Sequence, residues 1–247
     1  QTKLEVDGGQ IEGMAKGSLK QYLGIPYAAP PVGELRWSPP QPLNPWSGVK
    51  DASVNSKICH QPKQPTEFYD RGPDQSTMSE DCLTLNVWTR ADTADANLPV
   101  MVWMHGGALV WGSGSEYKGE ELTKRDVILV TVNYRLGPFG FFAHQELSDE
   151  NNGYSGNQGF RDQIAALEWV QANISNFGGN PENVTIFGES AGSWSVNVLQ
   201  ASPLSQGLFH KVIGQSGARL LPLAHLTTAT DYSDSALEHG LNLAQII

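Results

Sequence analysis

Two short runs of apolar residues constrain the fold of this chain more than any other feature. Residues 99–105 read PVMVWMH and residues 127–134 read VILVTVNY. Continuous apolar runs of this length are typical of strands that are buried on both faces of a sheet. Such a sheet needs helices on either side, so the two runs predict a protein in which strands and helices alternate.

The rest of the chain supplies the other elements of that fold. The first 35 residues predict short extended pieces, and a proline-rich segment over 24–42 is expected to be irregular. We predict further elements as follows: a strand over 83–88, a helix over 159–176, a strand over 184–187, a helix over 191–200 and a strand over 211–215. The predicted fold class is α/β with a largely parallel central sheet, in which residues 83–247 carry the core.

Composition excludes several classes of function. The net charge of −10 cannot neutralise a row of phosphates, so no nucleic-acid partner is expected. No apolar run approaches the roughly 20 residues that a membrane-spanning helix needs. The 247 residues suffice for one globular domain with a substantial core. The chain begins at Gln1, which fits a mature form without its export signal, although a shortened polypeptide would look the same.

Cys59 and Cys82 are the two cysteines of the chain. They are too few and too far apart for a zinc site, so no metal site is predicted. The segment between them is polar and loop-like, and a disulfide would close it, with two unrelated reduced thiols as the alternative. A disulfide would indicate an oxidising compartment.

The pentapeptide Gly-Glu-Ser-Ala-Gly over 188–192 lies between a predicted strand and a predicted helix. A sharp strand-to-helix turn strains the backbone of its Ser and projects the hydroxyl above the sheet. Side chains at Gly188 and Gly192 would collide with the neighbouring strand or helix. Ser190 is therefore the predicted nucleophile, with the free N–H of Ala191 beside it at the start of the helix.

A glycine-rich stretch over 105–114, HGGALVWGSG, follows the apolar run 99–105. Consecutive small residues let backbone N–H groups converge on one point. An enzyme acting on acyl groups needs such donors where the oxyanion of the tetrahedral intermediate forms. A close crossing of two chain segments is the alternative for the stretch alone, but together with the Ser turn it indicates an oxyanion hole.

Six motifs occur in one order between about residues 4 and 220: LGIPYAAPPVGELRW, SEDCLTLNVW, HGGALVWGS, VNYRLGPFGFF, the block from GNQGFRDQ to GESAG, and FHKVIGQSG. In this order the chain resembles the type-B carboxylesterases, the carboxylesterase and cholinesterase group of α/β-hydrolases. The resemblance implies an α/β-hydrolase fold, of which this chain is the N-terminal portion of a single catalytic domain.

The resemblance also implies roles for single residues. Ser190 would be the nucleophile, and the N–H groups of Gly107, Ala108 and Ala191 would form the oxyanion hole. Glu189 would be a buried acidic neighbour of the nucleophile.

Further residues are matched in the same way. Glu189, Leu109 and Leu223 are expected to contact the substrate, and Leu223 implies a roomy aliphatic acyl site. The disulfide would be Cys59–Cys82. Two pairs are expected to be structural ion pairs: Arg36 with Glu80, and Arg135 with Asp162.

The general base is not expected among the residues of this chain. Triads of this family run in the order Ser, acid, His, and the last two lie far downstream in relatives of roughly double this length. His210 is expected at the far end of the last strand, His239 in a helical run, and His105 as a brace for the glycine-rich turn. We therefore expect the acid and the His to come from a C-terminal portion, either as a second bound chain or as a further segment.

These observations predict a carboxylic-ester hydrolase that acts through an acyl-enzyme on a small-molecule ester. We expect no metal or organic cofactor, and an exported protein that is secreted or periplasmic. The alternative is a non-catalytic, cholinesterase-like adhesion or binding protein, although such relatives typically lose the nucleophile. Phe68 and Tyr69 are the aromatic residues of the predicted disulfide loop, which lacks the Trp that would favour choline esters.

Overall fold

The computed structural model describes residues 2–62, 77–218, 226–229 and 234–245. In these ranges the strands are β1 (Lys3–Val6), β2 (Gly9–Glu12), β3 (Met14–Lys16), β4 (Leu19–Pro26), β5 (Val49–Asp51), β6 (Thr84–Thr89), β7 (Leu98–Met104), β8 (Ile128–Val132), β9 (Gly179–Glu189) and β10 (Lys211–Gln215). The α-helices are α1 (Gly137–Phe141), α2 (Gln145–Glu150), α3 (Gln158–Asn173), α4 (Ala191–Ala201) and α5 (Ala236–Ala244).

The main sheet has seven described strands in the order β10-β9-β7-β8-β6-β4-β3, and β1, β2 and β5 form a small second sheet. β10, β9, β7 and β8 are parallel, whereas β6, β4 and β3 continue the sheet with antiparallel pairings. At the centre, Val102 of β7 pairs with Val130 of β8 and with Ile186 of β9. The predicted α/β class is confirmed, and the described part of the sheet is mixed, with one parallel and one antiparallel half.

The predicted core elements are all present, with shifts at their ends. β10 has the predicted bounds. β9 begins at Gly179, earlier than predicted, because Gly179 pairs with Leu98 ahead of a register shift between β7 and β9. α3 ends at Asn173, and the predicted last turn is a 3₁₀ helix over Ile174–Phe177 that ends where Gly178 adopts a φ of 84°.

One prediction for the N-terminal region is wrong. β4 continues through Gly24, Ile25 and Pro26, where the proline content predicts irregular structure. The pairing of β4 with β6 shifts register between Tyr22 and Ile25, and Gly24 adopts a φ of 66° at this bulge. Pro26 ends the strand directly after this bulge, and bulges are among the places where a sheet tolerates proline.

α3 packs on the sheet through the apolar face that its sequence predicts. Ile164, Leu167 and Val170 recur at helical spacing and are buried in the same core as Val102 and Val130. Each such side chain contributes roughly 1.5–3 kcal/mol through removal of its surface from water. Burial of this face holds α3 in place and brings Asp162 of the same helix into the interior.

Asp162 and Arg135, which follows β8, form a buried ion pair. The Asp162 carboxylate accepts hydrogen bonds from Arg135 Nε at 2.8 Å, Nη2 at 2.7 Å and the backbone N–H at 3.0 Å. Their side chains are 0% and 3% exposed. Arg36 and Glu80 form a more exposed pair at 2.5 Å. Both ion pairs implied by the family resemblance are confirmed.

We predict that Asp162→Asn lowers the free energy of unfolding by about 3–5 kcal/mol, because it leaves the Arg135 charge buried without its partner. Glu80→Gln is the matched control and should cost about 1 kcal/mol or less, since the Arg36 side chain is 41% exposed. Urea unfolding of the intact protein measures both values. Equal losses in the two variants would contradict the prediction.

Candidate active site

Ser190 lies at the sharp turn between β9, which ends at Glu189, and α4, which begins at Ala191. Its φ of 54° and ψ of −119° are strained for a residue with a side chain. The Ser190 N–H donates a hydrogen bond to the carbonyl of Gln215 on β10 at 2.9 Å, and the Ser190 carbonyl accepts one from the Trp194 N–H at 3.1 Å. These two bonds hold the strained backbone from both sides.

The glycines that flank Ser190 allow α4 to lie directly against β7. A Cβ atom on Gly192 would lie 2.0 Å from the carbonyl oxygen of Met104. A Cβ atom on Gly188 would lie 2.4 Å from the Gly192 backbone and 2.8 Å from the same carbonyl oxygen. No side chain fits at these distances, so the predicted collisions at both positions are confirmed. The close approach places Ser190 at the carboxyl end of β7.

The glycine-rich stretch forms a turn in left-handed backbone directly after β7. Gly107, Ala108 and Leu109 have φ values of 102°, 56° and 63°. The N–H groups of Val110 and Trp111 both donate to the Gly107 carbonyl at 2.9 Å, which closes the turn. No described residue accepts a hydrogen bond from the N–H of Gly107 or Ala108. Successive free N–H groups of this kind form a concave site for negative charge.

The glycine-rich turn touches the Ser turn. A Cβ atom on Gly106 would lie 3.2 Å from the Cβ of Ser190 and 2.8 Å from the Glu189 carbonyl oxygen. Because Gly106 carries only hydrogen there, its backbone packs directly on the Ser190 side chain. Ser190 is half-buried, and no described residue forms a hydrogen bond with its hydroxyl. The two sequence features that predict one site therefore lie side by side.

His105 lies at the base of the glycine-rich turn. Its ring is buried, stacks on Tyr134 with centroids 4.3 Å apart, and places Nδ1 2.8 Å from the Gly106 carbonyl oxygen. Burial lowers the pKa of His105 to about 4, and the hydrogen bond to Gly106 opposes that shift. The imidazole is thus neutral at pH 7, with Nδ1–H donating to Gly106. These contacts agree with the predicted bracing role of His105.

Of the residues matched by the resemblance, Glu189 lies differently from expectation, whereas the predicted substrate contact of Leu109 stays a prediction. Glu189 is exposed, so its predicted burial is wrong for the described residues. Leu109 is 6% exposed and packs in the main core. It also lines an apolar cavity of about 350 Å³ together with Ala108, Phe142 and Trp194. Leu109 therefore forms part of a wall beside the turn.

Several predicted positions lie outside the described residues. These are Leu223, Phe68 and Tyr69. Their predicted relations to the substrate stay predictions.

The two described histidines that follow Ser190 in the chain lie in different places, and His239 lines the same cavity as Ala108 and Leu109. The His210 N–H donates to the Val184 carbonyl at 2.8 Å, and His210 Nδ1 accepts from the Val184 N–H at 3.2 Å. This confirms that His210 lies at the far end of β10. His239 is exposed on α5. Among the described residues, no histidine is hydrogen-bonded to the Ser190 hydroxyl.

The disulfide and its neighbourhood reveal a residue that the sequence analysis did not identify. Cys59 and Cys82 are bonded, with sulfur atoms 2.02 Å apart, as the resemblance implies. Two residues after Cys59, the buried side chain of Gln61 forms hydrogen bonds with the backbone of Gly112, at the end of the glycine-rich turn. The one signal available in the sequence was its position beside a cysteine of the predicted disulfide.

The described residues contain no cluster of His, Cys, Asp and Glu side chains that could hold a metal ion. None of the helices in the same residues has the length and apolar character needed to cross a membrane.

We predict that Gly192→Ala destabilises the protein by about 1–3 kcal/mol or more, because the added methyl group displaces α4 from β7. Gly207→Ala is the control, since its Cβ would meet no atom within 4 Å and only its φ of 82° opposes the change. Thermal unfolding of the two intact variants provides the comparison. The steric account is wrong if Gly192→Ala is no less stable than Gly207→Ala.

A second prediction concerns acid stability. The pKa of His105 is about 4 in the folded state and about 6.5 in the unfolded chain. The unfolded state therefore binds the proton first as the pH falls, and stability decreases from about pH 6.5 to about pH 4. Between pH 7 and pH 5 the wild type should lose about 2 kcal/mol more than His105→Gln in urea unfolding. Equal losses would show that His105 does not titrate in this range.

The sequence and structure of this chain are similar to those of known proteins. The model described as the carboxylesterase family matches residues 1–241. Cocaine esterase of Homo sapiens is 49% identical over 216 residues, which are 84% of this chain and 38% of that protein. Para-nitrobenzyl esterase of Bacillus subtilis (strain 168) is 50% identical over 214 residues, 85% of this chain and 42% of that protein.

A solved structure of a PNB esterase superposes with a TM-score of 0.85 at 42% identity and covers 99% of this chain and 48% of its own. The chain thus spans less than half the length of these relatives. It corresponds to the N-terminal portion of their α/β-hydrolase fold. With a family match over nearly all of its residues, the chain belongs to the carboxylesterase family.

Proposed function

We propose that the protein containing this chain is a serine hydrolase of carboxylic esters, with Ser190 as its nucleophile. The observation that carries the proposal is the contact between the strained Ser190 turn and the glycine-rich turn. In the glycine-rich turn, the N–H groups of Gly107 and Ala108 donate to no described residue. Family membership supports the same reaction class.

The reaction follows from these groups in two steps. In the first, Ser190 Oγ forms a bond to the ester carbonyl carbon and passes its proton to a general base. The carbonyl oxygen becomes an oxyanion, held by the N–H groups of Gly107, Ala108 and Ala191, each contributing roughly 3–4 kcal/mol. The bond to the alcohol oxygen then breaks, and the alcohol leaves with the proton from the base. In the second step, water attacks the acyl-enzyme in the same way, releasing the carboxylic acid and restoring the Ser190 hydroxyl.

The general base and its acidic partner are proposed to come from a C-terminal portion, as a second bound chain or a further segment of the polypeptide. Two observations support this proposal. The chain spans less than half the length of its relatives, and β10 at the edge of the described sheet leaves Ile213 44% exposed. A strand edge of this kind is normally covered by further structure.

Small-molecule carboxylic esters are the proposed substrate class. The relatives named above are a cocaine esterase and a para-nitrobenzyl esterase, and we propose the shared ester chemistry rather than either compound. Leu109, Leu223 and Glu189 are proposed to contact the substrate. The mechanism needs no metal or organic cofactor. The Cys59–Cys82 disulfide supports a secreted or periplasmic location.

We predict that a fluorophosphonate probe labels the intact protein at Ser190, because labelling requires an activated hydroxyl. Ser190→Ala should abolish labelling and reduce hydrolysis of p-nitrophenyl esters by at least about 10³-fold. Ser216→Ala, which removes an exposed hydroxyl near the end of β10, is the matched control and should label like the wild type. Mass spectrometry identifies the labelled residue and any companion chain. A wild type that carries the C-terminal portion and stays unlabelled would favour a non-catalytic binding protein.

A further inference from the structure

Gln61 joins the disulfide segment to the glycine-rich turn. Its Oε1 accepts a hydrogen bond from the Gly112 N–H at 2.9 Å, and its Nε2 donates to the Gly112 carbonyl at 3.0 Å. Nε2 also donates to the Cys59 carbonyl at 3.2 Å. The side chain is 8% exposed, so water competes little for these bonds. One carboxamide thus satisfies both backbone groups of a residue 51 positions away in the chain.

Gly112 in turn packs on the base of the glycine-rich turn. A Cβ atom on Gly112 would lie 2.5 Å from His105 Nδ1 and 2.9 Å from the Gly106 carbonyl oxygen. The preceding residue, Trp111, donates its N–H to the Gly107 carbonyl at 2.9 Å. A shift of Gly112 would therefore move the carbonyl oxygens of Gly106 and Gly107, which fix the glycine-rich turn.

The segment that carries Gln61 is itself firmly held. Cys59 is bonded to Cys82. The N–H of Ile58 donates to the Thr77 carbonyl and its carbonyl accepts from Ser79, both at 2.9 Å. These contacts fix the backbone next to Gln61, so that its side chain can hold Gly112 in place.

We infer that Gln61 is a positioning residue of the proposed esterase: its carboxamide holds Gly112 so that the N–H groups of Gly107 and Ala108 stay aimed at the oxyanion. The inference rests on the proposed function. Gln61 touches neither the substrate nor the reacting atoms and acts through the turn. Its effect falls on the transition state, because the donors bind the oxyanion more strongly than the carbonyl group of the bound ester.

The size of the effect follows from the value of preorganised donors. Loss of one oxyanion donor typically lowers kcat by about 10²–10³-fold. Displacement of two donors that remain present should cost less. We therefore expect Gln61→Leu to lower kcat by about 10–100-fold and to change KM by less than about threefold.

The experiment measures kcat and KM for p-nitrophenyl acetate with the intact protein, with active sites counted by fluorophosphonate labelling. Counting removes any contribution from misfolded molecules. Gln171→Leu is the matched control, since Gln171 Nε2 also bonds two backbone carbonyls, of Pro181 and Leu208, at 3.0 Å each. Its bonds lie toward the amino end of β9, so its kcat per active site should equal that of the wild type.

Gln61→Glu adds a readout that a merely structural residue would not move. A carboxylate can still accept from the Gly112 N–H, but it repels the Gly112 and Cys59 carbonyl oxygens. Protonation restores a donor at that position, and burial raises the pKa of a carboxyl group. We expect the ratio of kcat for Gln61→Glu to kcat for the wild type to rise as the pH is lowered from 8 to 6.

The outcomes separate the two proposals. A wild type that is neither labelled nor active refutes the proposed function. If the wild type is active, the inference is overturned when Gln61→Leu keeps kcat within about threefold, when Gln171→Leu loses as much, or when the kcat ratio for Gln61→Glu does not change with pH. A selective loss in Gln61→Leu, with partial recovery of Gln61→Glu at low pH, supports it.

Discussion

The absence of a side chain at Gly192 is the constraint on which the rest of the site depends. A methyl group at this position would lie 2.0 Å from the Met104 carbonyl oxygen, so α4 and β7 meet backbone to backbone. Two separate turns therefore meet at the end of β7: one follows β7, and the other precedes α4. Ser190 and the glycine-rich turn are neighbours because this contact leaves no room between the strand and the helix.

The site concentrates backbone strain in a few residues. Ser190, Ala108 and Leu109 all have positive φ values, and residues held in such conformations typically cost about 1–3 kcal/mol each. The surrounding structure offsets this cost with a large hydrophobic core. Strain of this kind persists only where packing leaves no alternative, which is the condition for holding hydrogen-bond donors in place before any substrate binds.

Local parts of the fold and site could be predicted from residue patterns, whereas the long-range contacts that were predicted, such as Cys59–Cys82 and Arg135–Asp162, came from the family resemblance. Continuous apolar runs indicated β7 and β8, and a glycine on each side of a serine indicated the turn, because both patterns reflect contacts within a few residues. The exposure of Glu189 depends on what covers the end of a strand. The hydrogen bonds of Gln61 to Gly112 link residues 51 positions apart. Neither leaves a periodic or local signal in the chain.

The exposed edge at β10 has a consequence for how such a protein is made. β10 closes the parallel half of the described sheet, and its residues, Ile213 among them, lie largely open. During translation of a longer family member, this strand leaves the ribosome well before the residues that would cover it. Parallel strands joined by long connections pair slowly, and partly folded chains with unpaired strand edges are prone to aggregate until those edges are covered.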